Sequence, residues 1–320
     1  KAALRATSSS NIGKRELRTL IPKGGSVIND KVVEKSYALQ CCTGSALDTL
    51  EFYPMYVKEC LGQKLNVSLH NNATFCFHGL TRNSRDFEML CDSLAQRGFH
   101  TFCPDVVGRG FSGYLNHPSN YNIQTYVNAA SQLYSVCGVE KIDWVGTSMG
   151  GLIGMMMASA DNSPLNTLVL NDIGPFIDGK GVSRLGDYVG KEGPWQSEKE
   201  AEAHFRKIYA SYGHLSDDIW QKLTAYSIQE ESHQCFVRRY DPNIAKAFQK
   251  ESSDVDLFAF WQKIRCPTLL LRGENSDILS EQTVEKMKAT RHKDAAPFTV
   301  VTIPSVGHAP SLMEKDQIDL

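Results

Sequence analysis

No apolar stretch approaches the ~20 residues that a helix needs to cross a bilayer. The longest candidate, around Met155, is interrupted by glycine and serine. Charge of one sign is also missing: 34 basic residues against 36 acidic ones leave a formal net charge of -2, so neither nucleic acid nor an anionic membrane surface is expected as a partner. The nine cysteines are odd in number and have no Cys-x-x-Cys spacing. The adjacent pair Cys41-Cys42 has no histidine nearby, so no metal site is expected. Cys76 and Cys103 lie in strand-like runs, where a thiol acts as a small hydrophobe. Reduced thiols in an intracellular, cytoplasmic setting are the resulting expectation. There is no internal repeat and no low-complexity run. Residues 1–24 carry six basic side chains against the single acid Glu16, which reads as a flexible arm, with a mitochondrial transit remnant as the alternative.

Against these absences stands one informative pentapeptide, Gly146-Thr147-Ser148-Met149-Gly150. It follows the apolar run Ile142 to Val145 and leads into Gly151-Leu-Ile-Gly-Met-Met-Met-Ala, which reads as a buried helix. A strand, a sharp turn and a helix are the context of a nucleophile elbow, which pushes a serine hydroxyl out of the sheet edge. The residues two before and two after the serine must then lack side chains.

From about residue 73 the chain alternates. Strands are expected at Ala73–Phe77, His100–Cys103, Ile142–Val145, Thr167–Leu170, Thr268–Leu271 and Phe298–Ile303. Helices are expected at Phe87–Arg97, Ile123–Cys137, after the elbow, and at Glu281–Met287. Continuous apolar strands separated by helices predict an α/β fold, a mostly parallel sheet covered on both faces. The rhythm breaks after Pro175. Residues 176–260 are more polar and aromatic-rich, with helix starts at Ser197-x-x-Glu200 and Ser216. The expected organisation is an arm over 1–30, a core over 31–175 and 261–320, and an inserted helical cap over 176–260.

A serine hydroxyl needs a base, and the base needs an orienting acid. Of the nine histidines, His308 is the one that follows the terminal strand, in a loop bounded by Gly307 and Pro310. Two carboxylates compete for the third place. Asp277, after the penultimate strand, is preferred because its strand directly precedes the histidine strand; Asp172, one strand earlier, is the alternative. Acyl transfer also needs donors for a developing oxyanion. Candidates are the N–H of Met149, after the serine, and that of Leu80, in the loop Phe77-His78-Gly79-Leu80-Thr81. His78 reads as a structural hydrogen-bonder of that loop.

These residues, with Asp105-x-x-Gly108-x-Gly110-x-Ser112, resemble the α/β-hydrolase superfamily in its chain order, over roughly residues 70 to 320. Phrases such as His78-Gly-Leu-Thr-Arg-Asn and Leu168-Val-Leu-Asn-Asp-Ile-Gly-Pro resemble bacterial-type members. The resemblance implies a serine nucleophile, the triad, both donors and a mobile cap. Residues 25–70 depart from the family's compact opening hairpin, with extra length over 41–66. Two motifs are decoys. Gly108-Arg-Gly110-Phe-Ser-Gly113 fits a dinucleotide fingerprint, yet no helix starts there and no acid follows about 20 residues on. Gly174 to Lys180 approaches a phosphate loop, but Gly181 stands where a hydroxyl residue is required.

The reading is a cofactor-independent serine hydrolase, of carboxylic-ester type, acting on a small-molecule acyl substrate: an ester, thioester or lactone. Arg82, Arg85 and Arg109 are candidate contacts for a substrate carboxylate. Two rivals remain: a hydrolase of carbon–carbon bonds using the same three residues, and a slow-turnover ligand-binding protein of the same fold. The sequence implies no particular oligomeric state.

Overall fold

The computed structural model describes residues 32–42, 50–62, 72–248 and 253–320; the expected arm over 1–30 lies outside them. Strands β1 (Val32–Cys42) and β2 (Leu50–Cys60) form a long antiparallel hairpin. Then follow β3 (Asn72–Phe77), α1 (Glu88–Gln96), β4 (Thr101–Pro104), α2 (Ile123–Cys137), β5 (Lys141–Thr147), α3 (Met149–Ala158) and β6 (Leu165–Asn171). The segment after β6 contains β7 (Phe176–Ile177), α4 (Gly179–Tyr188), α5 (Glu198–Ile208), α6 (Asp217–Ser227), β8 (Ile228–Ser232), β9 (Cys235–Arg238), β10 (Val255–Asp256) and α7 (Phe258–Trp261). The chain then returns through β11 (Thr268–Gly273), α8 (Glu281–Thr290), β12 (Phe298–Ile303) and α9 (Lys315–Ile318).

One eight-stranded sheet runs in the order β1-β2-β4-β3-β5-β6-β11-β12. β2 pairs antiparallel with β4, and every pairing from β4 to β12 is parallel. The two-residue period of a strand sends neighbours to opposite faces, and both faces are covered here. Phe75, Phe77, Ile142 and Trp144 pack in one core cluster with Ala129, Leu133 and Ile153 from α2 and α3. Cys76, Cys103, Val145 and Leu271 pack in another with Leu90, Cys91 and Ala95 of α1. That double burial is why these strands are continuously apolar rather than alternating.

Helix ends follow local chemistry. Asn122 accepts from the Thr125 N–H at 3.0 Å to start α2, and Gly138, at φ 70°, ends it in left-handed backbone. Ser197 caps α5 through the Glu200 N–H at 3.2 Å; Glu200 reaches back to the Gln196 N–H at 2.8 Å, one residue earlier than a standard capping box. Between β6 and β11 the helices carry their own small core of Trp195, Phe205, Tyr209, Trp220 and Leu223. This segment is not purely helical. It includes two short antiparallel ladders, β7 with β10 and β8 with β9. The two-residue strands β7 and β10 leave no periodicity for a sequence to show, and β8 and β9 are short and largely uncovered.

Candidate active site

Ser148 sits between the end of β5 and the first turn of α3 with φ 51°, a region that non-glycine residues rarely enter. The flanking glycines are required by space. A Cβ on Gly150 would lie 2.0 Å from the Phe77 carbonyl oxygen, and one on Gly146 2.4 Å from the Gly150 carbonyl. Phe77 stacks on Trp144 at 4.2 Å, and the Trp144 indole donates to the Gly150 carbonyl at 3.0 Å. Any side chain in that seam would push α3 away from the sheet.

His308, in the loop after β12, places Nε2 2.9 Å from Ser148 Oγ. Its Nδ1 lies 2.8 Å from Oδ2 of Asp172. This corrects the preference for Asp277: the carboxylate against the imidazole is Asp172, while Asp277 is exposed on the loop after β11. The cause is backbone geometry. Asp172 follows β6 with φ 54°, which swings its side chain beneath the neighbouring strand β11. There Oδ1 accepts the Gly273 N–H at 2.8 Å and Oδ2 accepts the Ser276 hydroxyl at 2.6 Å. The loop that carries Asp277 therefore serves as a cradle for Asp172. The side chain of Asp172 is fully buried. Asn171 ties the same rim together, donating to Thr147 Oγ1 at 3.0 Å and to the Pro310 carbonyl at 2.8 Å. From the inserted segment, Ser211 accepts the Gly307 N–H at 2.7 Å and donates to the His308 carbonyl at 2.9 Å.

The two expected oxyanion donors belong to segments next to the same serine. Met149 is the first residue of α3, so its N–H has no acceptor within the helix. Gly79, beside Leu80, lies close enough that a Cβ there would be 3.8 Å from Ser148 Cβ. His78 is fully buried and burial drives its pKa down to about 3, with the Arg109 and Arg82 charges adding to the effect. It is therefore neutral, and its tautomer is fixed. Nε2 accepts the Val106 N–H at 2.9 Å, so Nδ1 carries the proton and donates to the Gly79 carbonyl at 2.7 Å.

Comparison with known proteins decides the family: the family model for the alpha/beta hydrolase fold matches residues 75–314. The chain belongs to the α/β-hydrolase family. A 3-hydroxybutyrate-oligomer hydrolase of Cupriavidus necator is 36% identical over 252 residues, covering 76% of this chain and 84% of the relative. A Rickettsia typhi protein solved by X-ray crystallography superposes with a TM-score of 0.79 at 32% identity, covering 90% of this chain and 96% of its own. An alpha/beta hydrolase from Novosphingobium aromaticivorans gives 0.75 at 29% identity, with the same coverage of 90% and 96%.

The remaining candidates of this hydrolase sort by their partners. Arg82 is bidentate to Asp86, at 2.9 and 2.6 Å, and donates to Ser227 at 2.8 Å. Arg85 is held by Glu34, Glu88 and Tyr56. Both hold structure together, and neither offers an unengaged cation to a substrate. The dinucleotide-like glycines wrap a carboxylate instead of a phosphate: buried Asp105 accepts the Ser84 and Phe111 N–H groups, each at 2.7 Å, and a Cβ on Gly110 would sit 2.0 Å from its Oδ2. The phosphate-loop-like stretch runs through β7 into the start of α4. Among the described residues the one group with metal-ligand spacing is Cys76, Cys91 and Cys103. It lies buried under α1 in the core, apart from the serine site. No described helix is long and apolar enough to cross a membrane.

Proposed function

We propose that this hydrolase is a serine esterase whose nucleophile is Ser148, base His308 and orienting acid Asp172, and that its substrates are short esters of hydroxyacids. The observation that carries the reading is the unbroken line Ser148 Oγ–His308–Asp172, at 2.9 and 2.8 Å. Asp172 is acceptor-only when ionised, so the imidazole Nδ1 holds its proton toward it, and Nε2 is left to accept the serine proton. As Oγ bonds to the ester carbon, its proton moves to Nε2 and the carbonyl π pair moves to oxygen, facing the N–H groups of Met149 and Leu80. Collapse expels the alcohol, which takes the proton back from His308. Water, deprotonated by the same nitrogen, then cleaves the acyl-enzyme and frees Ser148. Asp172 steadies the imidazolium in both halves of the cycle. No cofactor enters any step.

The substrate class rests on the Cupriavidus necator relative, similar over most of both chains, whose name specifies oligomers of 3-hydroxybutyrate. Partly buried apolar side chains near the elbow, Leu80 and Leu152 among them, suit a short acyl chain.

The test is hydrolysis of the linear 3-hydroxybutyrate dimer and of p-nitrophenyl butyrate, followed by chromatography and absorbance, in wild type and Ser148→Ala. The variant is expected to lose at least 10³-fold in kcat for both, on the order of other triad deletions, with an unchanged melting temperature. Wild-type-like turnover would remove the nucleophile. Cleavage of the nitrophenyl ester without the dimer would keep the esterase and discard the substrate class.

A further inference from the structure

Arg109, between the two glycines of the loop after β4, differs from the other buried arginines of the hydrolase. Its side chain is completely buried. Nε donates to the Leu80 carbonyl at 2.9 Å, Nη1 donates to the Val107 carbonyl at 2.8 Å, and Nη2 points to Met149 Sδ at 3.7 Å. The rings of Tyr126 and Tyr121 face the guanidinium at 4.8 and 5.9 Å. Arg82, Arg85 and Arg238 each have a carboxylate oxygen within reach, from Asp86, Glu34 and Glu192. Among the described residues, no ion pair within 4.0 Å is formed by Arg109. Its direct contacts are carbonyl dipoles, a thioether and ring faces, and the buried carboxylate of Asp241 lies beyond one of those rings, accepting from the Tyr121 hydroxyl at 2.5 Å.

A guanidinium stays protonated at any pH the fold survives. Burying one without a carboxylate is costly, and an apolar side chain of similar volume is the cheaper way to fill such a space. The two residues that it grips outside its own loop are Leu80 and Met149, whose amides are the proposed oxyanion donors. Leu80 is in fact clamped from both sides. His78 Nδ1 holds the carbonyl of the Gly79–Leu80 peptide, the unit that carries the Leu80 N–H, and Arg109 holds the carbonyl of the next peptide. With both planes fixed, the Leu80 N–H has no freedom to turn from the serine.

We infer that Arg109 is a positioning residue for the oxyanion-binding amides, locking Leu80 and Met149 in place and setting a positive charge with no directly bonded carboxylate behind the site where the oxyanion develops. When serine attacks, the imidazolium and the oxyanion appear together, and the guanidinium supports the second of them through a dry, low-dielectric medium. The inference rests on the assignment of the Leu80 and Met149 amides made above.

Arg109→Lys keeps the charge and one donor; Arg109→Gln keeps a donor and loses the charge. Each is assayed for kcat and KM on p-nitrophenyl butyrate. Each is also titrated with an alkyl trifluoromethyl ketone, which adds to Ser148 and carries an oxyanion, and with butyrate, which forms no adduct. The expected kcat falls are about 10-fold for Lys and about 100-fold for Gln, with KM shifted less than about threefold. Affinity for the ketone is expected to fall by the same factors while that for butyrate holds. A residue that merely packs would reduce the folded fraction and leave the ratio of ketone to butyrate affinity unchanged, and that result overturns the inference. So does kcat within about threefold of wild type in both variants, or a rise in KM at constant kcat. If the Gln variant fails to fold, the Lys variant decides by the same ratio. Ser148→Ala, run alongside, separates the two readings. An active Ser148→Ala discards the triad; an inactive one beside fully active Arg109 variants discards only the role of Arg109.

Discussion

The loops after β6 and β11 sit side by side at one rim of the sheet, and each holds an aspartate within a few residues of its strand. By sequence they are near equals. In the structure Asp172 is fully buried in left-handed backbone and accepts from Gly273 and Ser276 as well as facing His308. Asp277 stands exposed four residues beyond the end of β11, in a loop whose Gly273 N–H and Ser276 hydroxyl are directed at Asp172. Adjacency of strands does not choose which aspartate meets the histidine. A carboxylate that orients an imidazole must be held by donors and shielded from water, because exposed charge is screened and mobile. The loop nearer in sequence to the histidine supplies those donors, and the loop farther away supplies the charge.

Neutralising each acid in turn separates the two loops by the largest expected effect. Asp172→Asn leaves the shape and reverses the hydrogen bond to Nδ1, so kcat for p-nitrophenyl butyrate is expected to fall by about 10³- to 10⁴-fold. Asp277→Asn should stay within about threefold. Steady-state kinetics on both variants decides, and a larger loss at 277 would transfer the role.

A smaller effect tests the cradle. Ser276→Ala deletes the 2.6 Å hydrogen bond to Asp172 Oδ2 while leaving the charge and the Gly273 N–H contact. Loss of one of the bonds that fix the carboxylate should lower kcat about 3- to 10-fold, in line with the weakening seen when outer partners of a site residue are removed. Equal kcat in Ser276→Ala and wild type would show that the loop after β11 is a bystander.

Much of this arrangement was legible beforehand, and the failures share a cause. The elbow could be read because the glycines at 146 and 150 are demanded by close contact, and a contact that excludes every side chain leaves a mark in the sequence. His308 could be read from its place after the last apolar run. The helix over Ile123–Cys137 matched in full, since Asn122 and Gly138 mark both ends. Asp172 is the weaker candidate by sequence because its decisive feature is a φ of 54°, for which the sequence holds only the permissive pair Asn171-Asp172. The ladders of β7 with β10 and β8 with β9 are too short or too exposed to generate a pattern. By sequence Arg109 is indistinguishable from Arg82 and Arg85 as a candidate substrate contact. Only coordinates separate a guanidinium paired with carboxylates from one held by carbonyls and rings.

His78 extends the contrast of buried and exposed groups to a third loop, and the effect expected there is on stability rather than rate. Burial holds its folded pKa at about 3, whereas an unfolded histidine titrates near 6.5. Between those values the unfolded chain binds a proton that the native protein refuses, so the stability due to neutral His78 is complete above pH ~6.5 and is lost as pH falls, by about 1.4 kcal/mol per unit. From pH 7 to pH 5 this amounts to about 2 kcal/mol. His78→Gln removes the titration at the cost of imperfect hydrogen bonds, so it should be the less stable protein at pH 7 by about 1–3 kcal/mol. The gap between the two should close by about 2 kcal/mol at pH 5. Urea unfolding of both proteins at the two pH values measures the difference, in which contributions from every other titrating group cancel. A gap that stays constant with pH would mean that the imidazole already shares its proton with solvent, and the loop carrying Leu80 would then be open to water rather than sealed against it.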